Sequence, residues 1–508
     1  KKSNKPITLS LFNGMAAAST NYRAISLKGK PSMQSRQAQP LRSCYAIRGG
    51  IGVPCSSVWS RVHHMGIWSQ ASALAARTPQ ERNRYVDFLR AASILFVITG
   101  HWLITTAYSG GGDFAAVMML DARPWTQWLT WVFQVMPIFF IVGGYSNAVS
   151  LESARRRNTR YAAWLAGRLH RLLTPLLLLV MFWAVISLLL NLGGLPAETV
   201  AFASRGALLP TWFLAIYTMI VLLAPASYRL WRRWGYLSLF AYLSLAAAVD
   251  AAFFLLDWTW LGWTNYFWVW LAAHHLGFTW RDGRLGSPGV LLGIAGLSLL
   301  LLAGLIFAGP YPIAMAGSPG EAISNTLPPK ITLLALGLFQ FGLLLSIEKP
   351  MQRWLGRAGV WTGTVLINSM IMTIYLGHMT VLLLVFGLSY LDGGLGFTTA
   401  PGSTEWWLWR PAWLLGLGSL LLPIALLLSP LERVAPPAGG PPLPAWRLVS
   451  GAVCAGGGLT LATLFGLNGD PLSWSNAAAV ALLLGGAVLC GLNPLRGRTV
   501  TAKPRPDQ

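Results

Sequence analysis

Twelve apolar runs divide this chain, and arginines gather in every second gap between them. The runs lie at roughly 88–108, 126–149, 175–193, 210–228, 236–256, 263–280, 289–309, 331–347, 362–387, 411–431, 447–467 and 475–494. Each is near the ~20 residues that a helix needs to cross the hydrocarbon of a bilayer. Alternate gaps hold Arg155, Arg156, Arg157 and Arg160; Arg229, Arg232 and Arg233; Arg281 and Arg284; Lys349, Arg353 and Arg357; Arg433; and Arg496 with Arg498. The gaps between offer only Arg123, Arg205, Lys330 and Arg410. Positive charge stays on the cytoplasmic side, so the pattern puts both termini there and checks the number of spans. The expectation is an all-α polytopic membrane bundle, ten spans followed by two more, in the cell membrane.

Composition bears on one rival reading. The net charge of +22 invites nucleic acid, but only 11% of the 508 residues are charged, against about 25% in a soluble domain. The basic residues fall in short clusters between apolar runs, as topology requires, and no nucleic-acid partner is expected. Cys44, Cys55, Cys454 and Cys490 make no CxxC pair, the seven histidines include no HExxH, and no metal site is expected. No GxSxG elbow or glycine-rich dinucleotide loop stands in the strand–helix context it needs.

The chain changes character at both ends. Residues 1–80 read as a disordered or non-native basic segment. Five of the eight lysines fall in its first 64 residues, which look foreign to the rest, with Met65 as a candidate start. Residues 81–432 form the ten-span core. Residues 433–446, containing Ala435-Pro-Pro-Ala-Gly-Gly-Pro-Pro-Leu-Pro444, make a linker that cannot be helix interior. Residues 447–495 form two further spans rich in small residues, with a structural role, and 496–508 form a cytoplasmic tail.

Within the first run, Arg90 and His101 are eleven residues apart. That spacing leaves them about 20° apart around a helix and about 16 Å apart along it. A guanidinium then sits near one interface and an imidazole near mid-membrane, where an ionisable group marks function by default.

The run Tyr85-Val-Asp87-Phe-Leu-Arg90 with His101 resembles the first-helix signature of the membrane acyltransferase family 3. Further matches follow in order: Phe139-Phe140-Ile-Val-Gly143-Gly144-Tyr145, Arg168-Leu-His-Arg171-Leu-Leu-Thr-Pro175, Thr211-Trp212-Phe213-Leu214 and Tyr375-Leu-Gly-His378. The second motif commonly has Ser-Gly where this chain has Gly143-Gly144, and the third often opens with a doubled arginine. The resemblance covers about 81–432. It implies transfer of an acyl group, often acetyl, from cytoplasmic acyl-CoA to a hydroxyl on an extracytoplasmic carbohydrate, glycolipid or small molecule. Acyl-CoA is then a co-substrate, with no permanently bound cofactor, and membrane lipid surrounds the protein.

The chemistry gives each residue an expected place. A polyanionic donor cannot cross lipid, so it needs cations at the cytoplasmic rim and a base at the end of its pantetheine arm. Arg90, Arg168 and Arg171 suit the rim, because arginine grips phosphate with a bidentate fork. Asp87, one turn before Arg90, either orients it or is a simple helix N-terminal acid. His101 either takes the hydroxyl proton or carries the acyl group itself. Tyr375 and His378 share a helix face and hold the acceptor, bind the carbonyl oxygen or make a structural Tyr/His hydrogen bond. Asp250 either orients a histidine, pairs with a charge or binds a sugar, and Trp212 lines the channel or binds the acceptor. Arg155–Arg157 read as topological charges, and His274 and His275 as interfacial, with the alternative that one faces the donor channel. The competing functions are a transporter or flippase of a lipid-linked or amphipathic small molecule, which would show inverted repeats, and a non-catalytic sensor or assembly factor.

Overall fold

The computed structural model describes residues 45–48, 51–54, 66–110, 113–317, 321–430, 443–470 and 473–492. Each of the twelve apolar runs carries a helix there. The principal helices are α1 Ile67–Ala76, α2 Arg84–Ile104, α3 Met136–Arg156, α4 Tyr161–Leu192, α5 Ala197–Leu208, α6 Thr211–Trp234, α7 Tyr236–Leu255 and α8 Asn265–Arg281. They continue with α9 Pro288–Phe307, α10 Ile331–Ser346, α11 Glu348–Trp354, α12 Ala358–Ser369, α13 Ile371–Leu391, α14 Thr404–Leu428, α15 Ala445–Phe465 and α16 Trp474–Leu489. Among the described residues, nine helical stretches are long and apolar enough to cross a membrane, and α10 with α11 forms a further candidate bent by 56°. The protein is a multi-pass helical membrane bundle.

Burial sorts the helices into a centre and a rim. The stretch ending in α3 is 67% buried in its most apolar window, while that of α14 is 17% buried and faces outward. The tightest contact in the centre is α3 against α8, and glycine makes it. A Cβ on Gly144 would lie 1.9 Å from the His274 carbonyl oxygen, and one on Gly277 would lie 2.1 Å from that of Ile141. Small residues let membrane helices approach backbone to backbone.

The arginine-rich gaps converge on one end of the bundle. There Asn83 and Trp280 both donate to Glu348, Arg232 pairs with Glu152, and Arg281 reaches Tyr228. At the opposite end, the segment between α9 and α10 packs against the chain just before α3. Trp131 donates to the Ile313 carbonyl, Gln134 to that of Met315, and Met315 N to Thr130 Oγ1.

Several expectations need correction. The first run ends early: α2 stops at Ile104, and Thr105–Gly110 pairs antiparallel with Asp113–Met118. β-Branched Thr105 and Thr106 favour the extended chain. His101 therefore stands in the last turn of α2. The third span begins at Tyr161, well before Pro175, so the paired-arginine motif lies inside α4. The 362–387 run is broken at Met370, whose φ of −130° interrupts the helix without a proline. The span at 126–149 starts with a 3-10 turn, Pro124–Leu129, and becomes continuous helix at Met136. Residues 1–80, expected to be disordered, include α1, whose Ala75 packs with Trp361 and Val365 of α12. Residues 1–44, most of the 433–446 linker and the 496–508 tail lie outside the described residues.

Candidate active site

The structure joins the two histidines that the sequence keeps 277 residues apart. His101 Nδ1 and His378 Nε2 are 2.8 Å apart, with the rings nearly parallel. His378 Nδ1 lies 2.5 Å from the Tyr375 carbonyl oxygen. A carbonyl only accepts, so His378 Nδ1 carries the proton. In the neutral ring, Nε2 is then a lone pair and accepts from His101 Nδ1–H. The remaining nitrogen, His101 Nε2, is left as a free lone pair. These tautomers follow from the hydrogen-bond network. His378 is fully buried, whereas His101 retains some exposure. The more accessible lone pair is thus that of His101, and His378 fixes its tautomer.

Neighbouring elements hold this pair rigidly. Trp102 Nε1 donates to the His378 carbonyl at 3.1 Å, tying α2 to α13. Trp183 of α4 donates to Thr380 at 3.0 Å. Tyr375 is 2% exposed and its hydroxyl donates to the Pro210 carbonyl at 2.7 Å, at the α5–α6 junction. Of the readings open for Tyr375, the contacts favour the structural one: its hydroxyl is bonded to backbone and its carbonyl holds His378. Beside it lies an aromatic cluster: Phe213 meets Tyr375 edge-on, Phe140 stacks on Trp270 at 4.5 Å, and Trp212 contacts Phe213, Tyr266 and Trp270.

Towards the basic end, two guanidinium groups converge on one serine. Arg90 Nη2 donates to Ser146 Oγ at 2.7 Å, and Arg168 Nη2 to the Ser146 carbonyl at 3.4 Å. Asp87 accepts from Arg90 at 3.2 Å and from Arg82 at 2.6 and 3.0 Å. Its hydrogen bonds hold the Arg82 guanidinium above its usual pKa. Asp87 thus orients Arg90, and Arg82 balances its buried carboxylate. Arg171 lies within electrostatic range of Arg168 and is exposed. The sequence missed Ser146 and Arg82. Ser146 directly follows the Gly143-Gly144-Tyr145 motif, a usable signal, whereas the five-residue step from Arg82 to Asp87 has no helical period.

Two other expectations change. Asp250 does not orient a histidine. It accepts from Asn265 at 2.9 Å, from Tyr311 at 3.1 Å and from Ile331 N at 2.7 Å, pinning the segment between α9 and α10 to α7 and α8. Lys330 is buried nearby over the Phe253 ring, 3.6 Å from its centre. His274 and His275 are fully buried instead of interfacial, because the glycine contact draws α8 into α3. His274 Nε2 meets Asn147 and His275 Nδ1 meets Ser227, each at 3.1 Å. Among the described residues, no group of three or more His, Cys, Asp or Glu side chains is placed to hold a metal.

The arrangement puts Arg90 and the His101 lone pair on one helix, α2, with Arg168 of α4 beside Arg90 and a second histidine fixing the first. That is the equipment of an acyl-transfer site. Comparison with curated proteins and with solved structures gives no match. A family model described as an acyltransferase domain matches residues 83–430, from the cap of α2 to the end of α14. The chain belongs to the family 3 membrane acyltransferases.

Proposed function

We propose that the protein transfers an acyl group, often acetyl in its family, from acyl-CoA at the basic end to a hydroxyl that reaches His101 from the opposite end. The observation that carries this reading is the chain from the Tyr375 carbonyl through His378 to His101, which leaves one basic lone pair. Arg90 and Arg168, joined at Ser146, grip the donor's phosphates. Arg90 lies about 16 Å from His101 by helical rise, a separation for the pantetheine arm to span. We place the basic end in the cytoplasm, following the charge bias, with the acceptor a carbohydrate, glycolipid or small molecule on the far side of the cell membrane.

The reaction balances with this equipment alone. The acceptor hydroxyl gives its proton to His101 Nε2 as its oxygen bonds the thioester carbonyl carbon. The carbon–sulfur bond breaks, and the imidazolium returns the proton to the leaving thiolate. The same lone pair also suits a relay, in which Nε2 takes the acyl group as the carbon–sulfur bond breaks, then passes it to the hydroxyl, whose proton goes to the departing thiolate. His378 serves either route by keeping the first ring in one tautomer.

The test uses the full chain in lipid nanodiscs with acyl-labelled acetyl-CoA, an envelope-glycan extract and small hydroxyl acceptors. Release of thiol with label moving to a hydroxyl, lost in His101→Gln, supports the reading. Arg90→Ala should raise the KM for donor more than it lowers kcat. Intact thioester in wild type, with a solute carried across the bilayer, would favour a transporter and overturn it.

A further inference from the structure

The helices α15 and α16 lie beyond the matched domain, yet they bond to the elements that carry the site. At the basic end, His170 Nε2 lies 2.8 Å from the carbonyl oxygen of Cys490, the residue that ends α16. A carbonyl only accepts, so the imidazole donates. Terminal helix carbonyls lack partners within the helix and collect partial negative charge, which a donor there satisfies. His170 is buried and stands between Arg168 and Arg171 in sequence. At the other end, Leu467 N donates to Ser204 Oγ of α5 at 2.7 Å, and Thr463 Oγ1 lies 3.0 Å from that of Thr211 on α6. Thr211 follows Pro210, the residue that anchors Tyr375. The hairpin itself is stiff: a Cβ on Gly486 would lie 2.5 Å from the Gly451 carbonyl oxygen, so the two helices meet backbone to backbone.

The helix that receives this hairpin has a built-in weak point. Pro175 lies inside α4. It has no N–H to donate to the carbonyl four residues back, which is Arg171, and such positions are where helices bend. The segment bearing Arg168 and Arg171 is therefore joined to the rest of α4 through a hinge. The bond from His170 to Cys490 ties that segment down on the far side of the hinge.

We propose that His170 is a positioning residue for the donor mouth. Through it, the appended hairpin clamps the Arg168–Arg171 segment against bending at Pro175, so a unit outside the family domain sets donor affinity. The use of CoA as the readout rests on the function proposed above; the clamp itself does not.

The experiment compares wild type, His170→Ala, His170→Gln and His170→Ala with Pro175→Ala, all as full chains in nanodiscs. Hydrogen exchange over residues 161–174 reads the clamp without any ligand. CoA binding and the separate kcat and KM for acetyl-CoA read its consequence. His170→Ala should speed exchange in 161–174 and weaken CoA binding about tenfold, the scale of one lost buried hydrogen bond. Its rate at saturating donor should change less than its affinity. His170→Gln, which keeps an N–H donor, and the Pro175→Ala double variant should each recover most of the loss. Unchanged exchange in His170→Ala overturns the proposal, as does a double variant no better than the single. If wild type binds no CoA while exchange responds as described, the clamp stands and the assignment of the donor falls.

Discussion

Replacing Gly144 with alanine tests the geometry on which the donor mouth is built. The added methyl would lie 1.9 Å from the His274 carbonyl oxygen, 2.9 Å from its carbon and 3.2 Å from the Gly277 Cα. All three are backbone atoms on α8, so no side chain can swing aside. Relief requires α3 and α8 to part by about 1 Å, and overpacking of this kind costs about 1–3 kcal/mol, occasionally more. We expect the upper part of that range. The shift also carries Ser146, two residues along α3, away from the Arg90 and Arg168 groups that meet on it. Two controls bracket the effect. Gly143→Ser places its Cβ 2.8 Å from the Tyr217 ring, the end of a side chain that can move, and should cost far less. Gly296→Ala, on outward-facing α9 with nothing within 4 Å, should be neutral or gain up to about 1 kcal/mol of helix propensity. Thermal unfolding in nanodiscs, followed by size-exclusion of the surviving fold, reads all three. A Gly144→Ala variant that melts with Gly296→Ala and binds donor normally would refute the close contact and the role given to α3.

Two further outcomes follow from individual hydrogen bonds. Tyr375→Phe leaves the Pro210 carbonyl without its donor, at about 1–3 kcal/mol; its melting temperature should fall while transfer persists well above that of His101→Ala, which loses a general base worth about 100- to 10,000-fold. Asp250→Ala strips the acceptor from Asn265, Tyr311 and Ile331 N; hydrogen exchange should rise in residues 309–330, with donor affinity at the other end little changed.

The parts of this fold that were legible in sequence are those written in local composition. Apolar length marked the helices, and the alternating arginines anticipated the basic end on which Asn83, Trp280 and Glu348 meet. Arg90 and His101 could be paired because one helix carries both. His378 could be named from its motif, but its bond to His101 spans 277 residues and leaves no periodic trace. The break at Met370 was hidden because it lacks proline or glycine, and the end of α2 because no proline or glycine marks the turn at Thr105. Several roles stayed open for Tyr375 and Asp250 because a polar group in a span invites a substrate, whereas the structure binds Tyr375 to the Pro210 carbonyl and Asp250 to Asn265, Tyr311 and Ile331 N. His170 was overlooked because its partner is a carbonyl, which no sequence pattern displays.

The claim at the centre is that His101 presents a bare Nε2 because His378 and the Tyr375 carbonyl dictate its tautomer. Solid-state nitrogen NMR of histidine-labelled protein in bilayers, assigned with His101→Gln and His378→Gln, measures this directly. The account predicts that both rings carry their proton on Nδ1 and that His378→Gln alters the His101 signals. A His101 ring protonated on Nε2, or one indifferent to His378, would contradict it.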